Sequence, residues 1–122
     1  VATENVELRL ELHGDRVSGD APEVRGGLTW FGSERYVAVE FGSEPLTESG
    51  ARKAIRMIRL AEQTSAPVLV VGRLHGAPTS VFSVVRALRA ARVRVVLVGG
   101  DWGALENESH IDVVPTIPSM PA

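Results

Sequence analysis

The stretch from Pro67 to Gly100, PVLVVGRLHGAPTSVFSVVRALRAARVRVVLVGG, constrains the chain more than any other. An apolar run at Val68–Val71 leads into a loop punctuated by Gly and Pro. Apolar residues at helical spacing follow, and then a second apolar run at Val93–Val98. Strand, loop, helix and strand in that order make a β-α-β unit, whose two strands must run parallel. A chain containing one builds its core around an α/β sheet.

The segments upstream supply the rest of such a sheet. Residues 5–12 alternate, with Val6, Leu8, Leu10 and Leu12 on one side, as in a half-buried strand. The stretch from Ser18 to Gly27 has little pattern and reads as an irregular connection. Leu28–Trp30 and Tyr36–Phe41 read as a hairpin across Phe31–Arg35, with Val37, Val39 and Phe41 toward the core.

A helix is expected from Leu46 or Thr47 to Gln63. Thr47 is its N-cap, Glu48 sits one turn from Arg52, and Ala51, Ala54, Ile55, Ile58 and Ala61 form the buried stripe. The second helix, about 80–91, takes Thr79 or Ser80 as its cap and buries Val81, Val84, Val85, Leu88 and Ala91. Beyond Gly99-Gly100 the sequence turns polar and proline-rich, leaving room for a short edge strand at Ile111–Val114.

These elements imply a two-layer α/β sandwich: a four- to five-stranded mixed sheet with two helices on one face. Residues 1–103 would form the domain and 104–122 an irregular C-terminal tail. At 122 residues the chain suits one domain with a real core. It has no cysteine, which excludes disulfides and thiolate metal sites. No apolar run approaches the roughly 20 residues needed to cross a bilayer. The opening VATENVELRL lacks the basic start and apolar centre of a signal peptide. An anchor ahead of Val1 would place the domain in the periplasm or at a membrane; without one it is a cytoplasmic protein.

The net charge of −2 conceals a segregation. Between Arg52 and Arg94 lie nine basic residues and one acid, Glu62. Arg52, Arg56, Arg59, Arg86 and Arg89 fall on the outward sides of the two helices, where they would make one basic surface for a protein partner or a weak polyanion contact. Aromatic residues that would stack on bases are missing from it.

No stretch carries a specific catalytic signature. Gly72 and Gly99-Gly100 follow parallel strands, where α/β folds often bind ligands, but neither fits a P-loop or a GxGxxG motif and both read as turns. His75 and Asp101 lie beyond neighbouring strands and could face each other across a cleft as a ligand site. The three histidines have no metal-ligand spacing, and no metal or cofactor is implied.

From Leu28 to Gly99 the chain resembles the periplasmic domain of the ExbD/TolR biopolymer-transport proteins. The counterparts are Tyr36–Phe41, the turn Gly42-Ser-Glu-Pro-Leu46, the helix 47–63, Val68–Val71 and VFSVVRALRAARVRVVLVG. That resemblance implies a non-enzymatic domain that binds a protein or cell-envelope partner, as a homodimer through sheet-edge pairing. A rival resemblance, over Val37–Gly72, is to the STAS domain of anti-sigma-factor antagonists. There Thr47-Glu48-Ser49-Gly50 stands at the helix-opening motif, and a cytoplasmic regulatory role is implied. A small ligand- or nucleotide-binding module at His75 and Asp101 is the third reading.

Overall fold

The computed structural model describes residues 10–12, 23–31, 33–98, 102, 105 and 107–114. Among the described residues six strands and two helices follow in the order β1 (Leu10–Leu12), β2 (Val24–Phe31), β3 (Glu34–Phe41), α1 (Glu48–Thr64), β4 (Val68–Gly72), α2 (Pro78–Ala90), β5 (Val95–Val98) and β6 (Ile111–Val114). They form one mixed sheet in sequence order. β1, β2 and β3 pair antiparallel, and β3 through β6 run parallel. The expected α/β fold with two helices over one face of a mixed sheet is what forms.

The helix-covered face holds the main core. Val37, Val39 and Phe41 of β3, Val68 and Val70 of β4, and Val95 and Leu97 of β5 meet Ala54, Met57, Ile58 and Ala61 of α1 and Val84 and Leu88 of α2. The period-two alternation in β3 therefore points the residues the way their hydrophobicity demands. On the opposite face Tyr36, Ala38, Leu69, Val71, Val96 and Val98 form a second buried cluster, to which neither helix contributes. Burial on both faces explains why β4 and β5 are unbroken apolar runs.

Local details depart from the sequence reading where packing overrides pattern. The hairpin strands are longer than expected: Phe31 pairs with Glu34, and β2 reaches back to Val24 through Gly26-Gly27. The glycines that look like a loop lie inside the strand, and α1 crosses it closely at Gly26. A Cβ on Gly26 would come 2.7 Å from Met57 Cγ. Helix α2 starts at Pro78, with Ala77 as N-cap and no side-chain cap, rather than at Thr79 or Ser80. Proline at the first helical position has no N–H to leave unsatisfied. Val81 and Val85 are half-buried, whereas Ser80 is buried.

In α1 the cap is as expected: Thr47 Oγ1 accepts the Gly50 N–H at 3.1 Å. Lys53, which belongs to the basic stretch in sequence, is only 5% exposed. The edge strand Ile111–Val114 is present, and within residues 104–122 Leu105 and Ile111 join the main core.

Candidate functional site

The parallel strands β3 and β4 end side by side, and the loops leaving them, 42–47 and 73–77, are joined to each other. The Leu46 N–H donates to the His75 carbonyl at 2.7 Å, and Leu46 and Gly76 form a parallel bridge. His75 Nε2 lies 3.1 Å from the Ser43 carbonyl. Two glycines make this approach possible. Gly72 (φ +104°) and Gly76 (φ +138°) adopt conformations that side-chain-bearing residues avoid. A Cβ on Gly76 would stand 2.7 Å from the Leu46 carbonyl oxygen, and one on Gly72 would overlap the Phe41 carbonyl.

The joined loops deliver the exposed N-terminus of α2. Gly76, Ala77, Pro78 and Thr79 are all exposed. The first intrahelical bond of α2 runs from Val81 N–H to Ala77 O. The amides of Thr79 and Ser80 thus have no acceptor within the helix, and they point toward the loops with the positive end of the helix dipole. Such an end attracts a carboxylate, a phosphate or a developing oxyanion. Arg73 is exposed on the same end of the sheet.

Behind the loops lies a buried polar anchor that the sequence reading missed. Glu23, 6% exposed, accepts the Thr47 N–H at 3.1 Å and the Thr47 hydroxyl proton on the same carboxylate oxygen, Oε2. Its backbone carbonyl accepts the Gly42 N–H at 2.8 Å. Burial pushes the Glu23 carboxyl upward. The two bonds from Thr47 and the nearby Lys53 charge outweigh it, and the group sits below its ordinary range. Glu23 falls in a segment without strand or helix pattern, so no signal in the sequence singled it out.

The expected site residues that the structure describes fall at the start of α1, along the two helices and in the joined loops. At the start of α1, Thr47 and Gly50 belong to the cap, while Glu48 pairs with Arg52 at 2.9 Å and Ser49 Oγ lies 3.5 Å from the same guanidinium. Arg52, Arg59, Arg86 and Arg89 are exposed and Arg56 is half-buried. Arg86 lies over the ring of Phe82, 5.8 Å from its centroid, and Arg89 is 3.5 Å from Glu108. Phe82 is 58% exposed, unusual for a large apolar side chain. His75 is in the joined loops; Asp101 lies outside the described residues. Among the described residues no group of His, Asp and Glu could hold a metal ion, and no helix is long and apolar enough to cross a membrane.

No family model matches the chain. It is similar to the alpha subunit of the acetyl-coenzyme A carboxylase carboxyl transferase. The identity is 30% with that of Trichormus variabilis, over 79% of this chain and 38% of the relative. With that of Thermus thermophilus it is 33%, over 79% and 39%. The carboxyl transferase subunits beta/alpha of Salinispora arenicola share 33% identity over 59% of this chain and 15% of theirs. The chain thus spans about two fifths of the length of the alpha subunits it matches. Among solved structures, the β subunit of Pseudomonas aeruginosa geranyl-CoA carboxylase superposes with a TM-score of 0.56 at 21% identity. That superposition covers 73% of this chain and 18% of the subunit, and it shows a shared fold.

These relatives correct the family reading. They are carboxyl transferase subunits, not ExbD/TolR or STAS proteins. The expectation of a domain that catalyses nothing is corrected with it, as are biopolymer and protein transport and the cell-envelope partner. The physical reason is that the matched pattern, Leu, Ala, Val and Arg at strand and helix spacing, describes any β-α-β unit with an amphipathic helix. Protein partners remain in keeping with relatives that are named as subunits.

Proposed function

We propose that this chain is a carboxyl transferase-type domain that binds an acyl-CoA thioester at the joined loops and works beside a protein partner. The observation that carries the reading is the similarity to carboxyl transferase alpha subunits over 79% of the chain. Moving a carboxyl group from a donor to the α-carbon of a thioester requires a proton to leave that carbon and take the place of the carboxyl group on the donor, and negative charge develops on the thioester oxygen in between. Amide donors held in place before the reaction are the means by which proteins stabilise such charge. The Thr79 and Ser80 amides at the α2 N-terminus are donors of that kind. In this reading Arg73, exposed just beyond β4, meets a phosphate of the CoA moiety.

The partner surface in this reading is the outward side of the two helices. Arg52, Arg56, Arg59, Arg86 and Arg89 give it positive charge, and Phe82 gives it an apolar anchor of the type that interfaces bury. An acidic surface on the partner is the complement.

The test is carboxyl transfer by the assembly isolated from its native host with this chain as the handle. Incubated with a carboxyl donor, it should convert acetyl-CoA or a longer acyl-CoA into the product heavier by one carboxyl group, read by mass spectrometry. An assembly that leaves every thioester unchanged, together with a chain that binds no CoA, would rule the reading out.

A further inference from the structure

We infer that Glu23 is a positioning residue that sets where the two loops of the site stand. This rests on the acyl-CoA reading for its function, but its geometry is independent of it. One residue holds both ends of the loop 42–47: its carbonyl takes the Gly42 N–H, and its carboxylate takes the amide and hydroxyl of Thr47. From the other side His75 holds the same loop, through its carbonyl to Leu46 N–H and its ring to the Ser43 carbonyl. Any shift of the loop 42–47 would therefore move the Leu46–Gly76 bridge and, with it, the start of α2 two residues on.

The carboxylate is more than a helix cap. Thr47 already satisfies the cap by accepting the Gly50 N–H. A buried carboxylate is costly unless well bonded, so a charge at this position needs a return that a neutral residue would not provide. Here one oxygen takes two donors from Thr47, and bonds to an ionised acceptor are the stronger ones. Space for it is made by Gly50, since a Cβ there would overlap Glu23 Oε2 and stand 2.9 Å from Leu46 Cδ1. Lys53, buried one turn along α1, supplies the compensating charge.

Glu23→Gln and Thr47→Val test this in the full chain by amide hydrogen exchange and acetyl-CoA titration. In each variant the Leu46 and Thr47 amides should exchange at least tenfold faster. Those of Val39, Val70 and Leu97, deep in the sheet, should keep their protection and show that the fold persists. Acetyl-CoA affinity should fall about tenfold in each, with little further loss in the double variant, because both weaken the bond between the Thr47 hydroxyl and the Glu23 side chain, while only Thr47→Val also removes the Gly50 cap. Unchanged exchange at Leu46 and Thr47, or acceleration spread evenly through the sheet, would overturn the inference. If the unaltered chain binds no acetyl-CoA, the acyl-CoA reading fails while the exchange result still decides the role of Glu23.

Discussion

The Glu23 carboxylate receives both the backbone amide and the hydroxyl of Thr47, joining the start of β2 to the first turn of α1 across 24 residues of chain. Thr47 in turn bonds the Gly50 amide. The helix start and the end of the parallel strand beside it thus depend on one ionised group.

Acid should undo this arrangement. The folded-state pKa of Glu23 lies below the ordinary value of 4.5, so its contribution is complete above that pH and disappears as pH falls through the folded pKa. Urea midpoints measured from pH 7 to pH 3 should fall more steeply for the native chain than for Glu23→Gln. Parallel curves would contradict the assignment.

Gly50→Ala sets two effects against each other. Alanine is the better helix former by about 1 kcal/mol. The methyl group would nonetheless collide with Glu23 and Leu46, both held in place by buried contacts. Collision should win, with a net loss of about 1–3 kcal/mol in chemical denaturation, the usual range for overpacking. A stabilised variant would mean that the carboxylate can move away freely.

The other end of the sheet has its own polar cluster. The Tyr36 hydroxyl donates to Glu34 at 2.9 Å and accepts from Arg94 at 2.6 Å. Burial first, and then the bond to Glu34, raise its pKa above 10.0, with Arg94 opposing. A raised pKa means that its contribution is fully present below about pH 10 and lost as pH rises through the folded value. Tyr36→Phe should cost about 1 kcal/mol at neutral pH and flatten the alkaline limb of the stability profile.

Much of the fold was legible in the residues, and the reason is physical. Where burial is one-sided or complete, the hydrophobic pattern repeats the geometry, as in Tyr36–Phe41, Val68–Val71 and Ala51, Ala54, Ile58 and Ala61 of α1, although Ile55 is half-buried and Met57 joins the core instead. It fails where a close approach dictates the residue. Gly26 and Gly27 look like a turn but lie within β2, where Gly26 makes room for Met57 of the helix crossing over the strand. Lys53 looks like surface but lies buried near Glu23, 30 positions away in the chain. The candidate site was legible as His75, the turn at Gly72, the Thr47 cap and a helix start near Thr79 and Ser80, but not as one place. Its substance lies in backbone amides and in a bridge between loops, and neither leaves a residue-type signature.

The outer helix face can be separated from the fold. Replacing Phe82 and Arg86 together by Ser removes an exposed pair that packs on itself, so thermal stability should change by no more than about 0.5 kcal/mol. Association with the partner should weaken at least tenfold by analytical size exclusion of the native assembly. Full retention of the complex would place the partner elsewhere.

The most direct measurement is a titration of the isotope-labelled chain with acetyl-CoA, followed amide by amide. Shifts should concentrate at residues 42–47 and 72–80, with Gly76, Thr79 and Ser80 moving most and Gly76→Ala abolishing them. No shift at any ligand concentration, or shifts gathered instead around Glu34, Arg92 and Arg94 at the far end of the strands, would contradict the acyl-CoA reading.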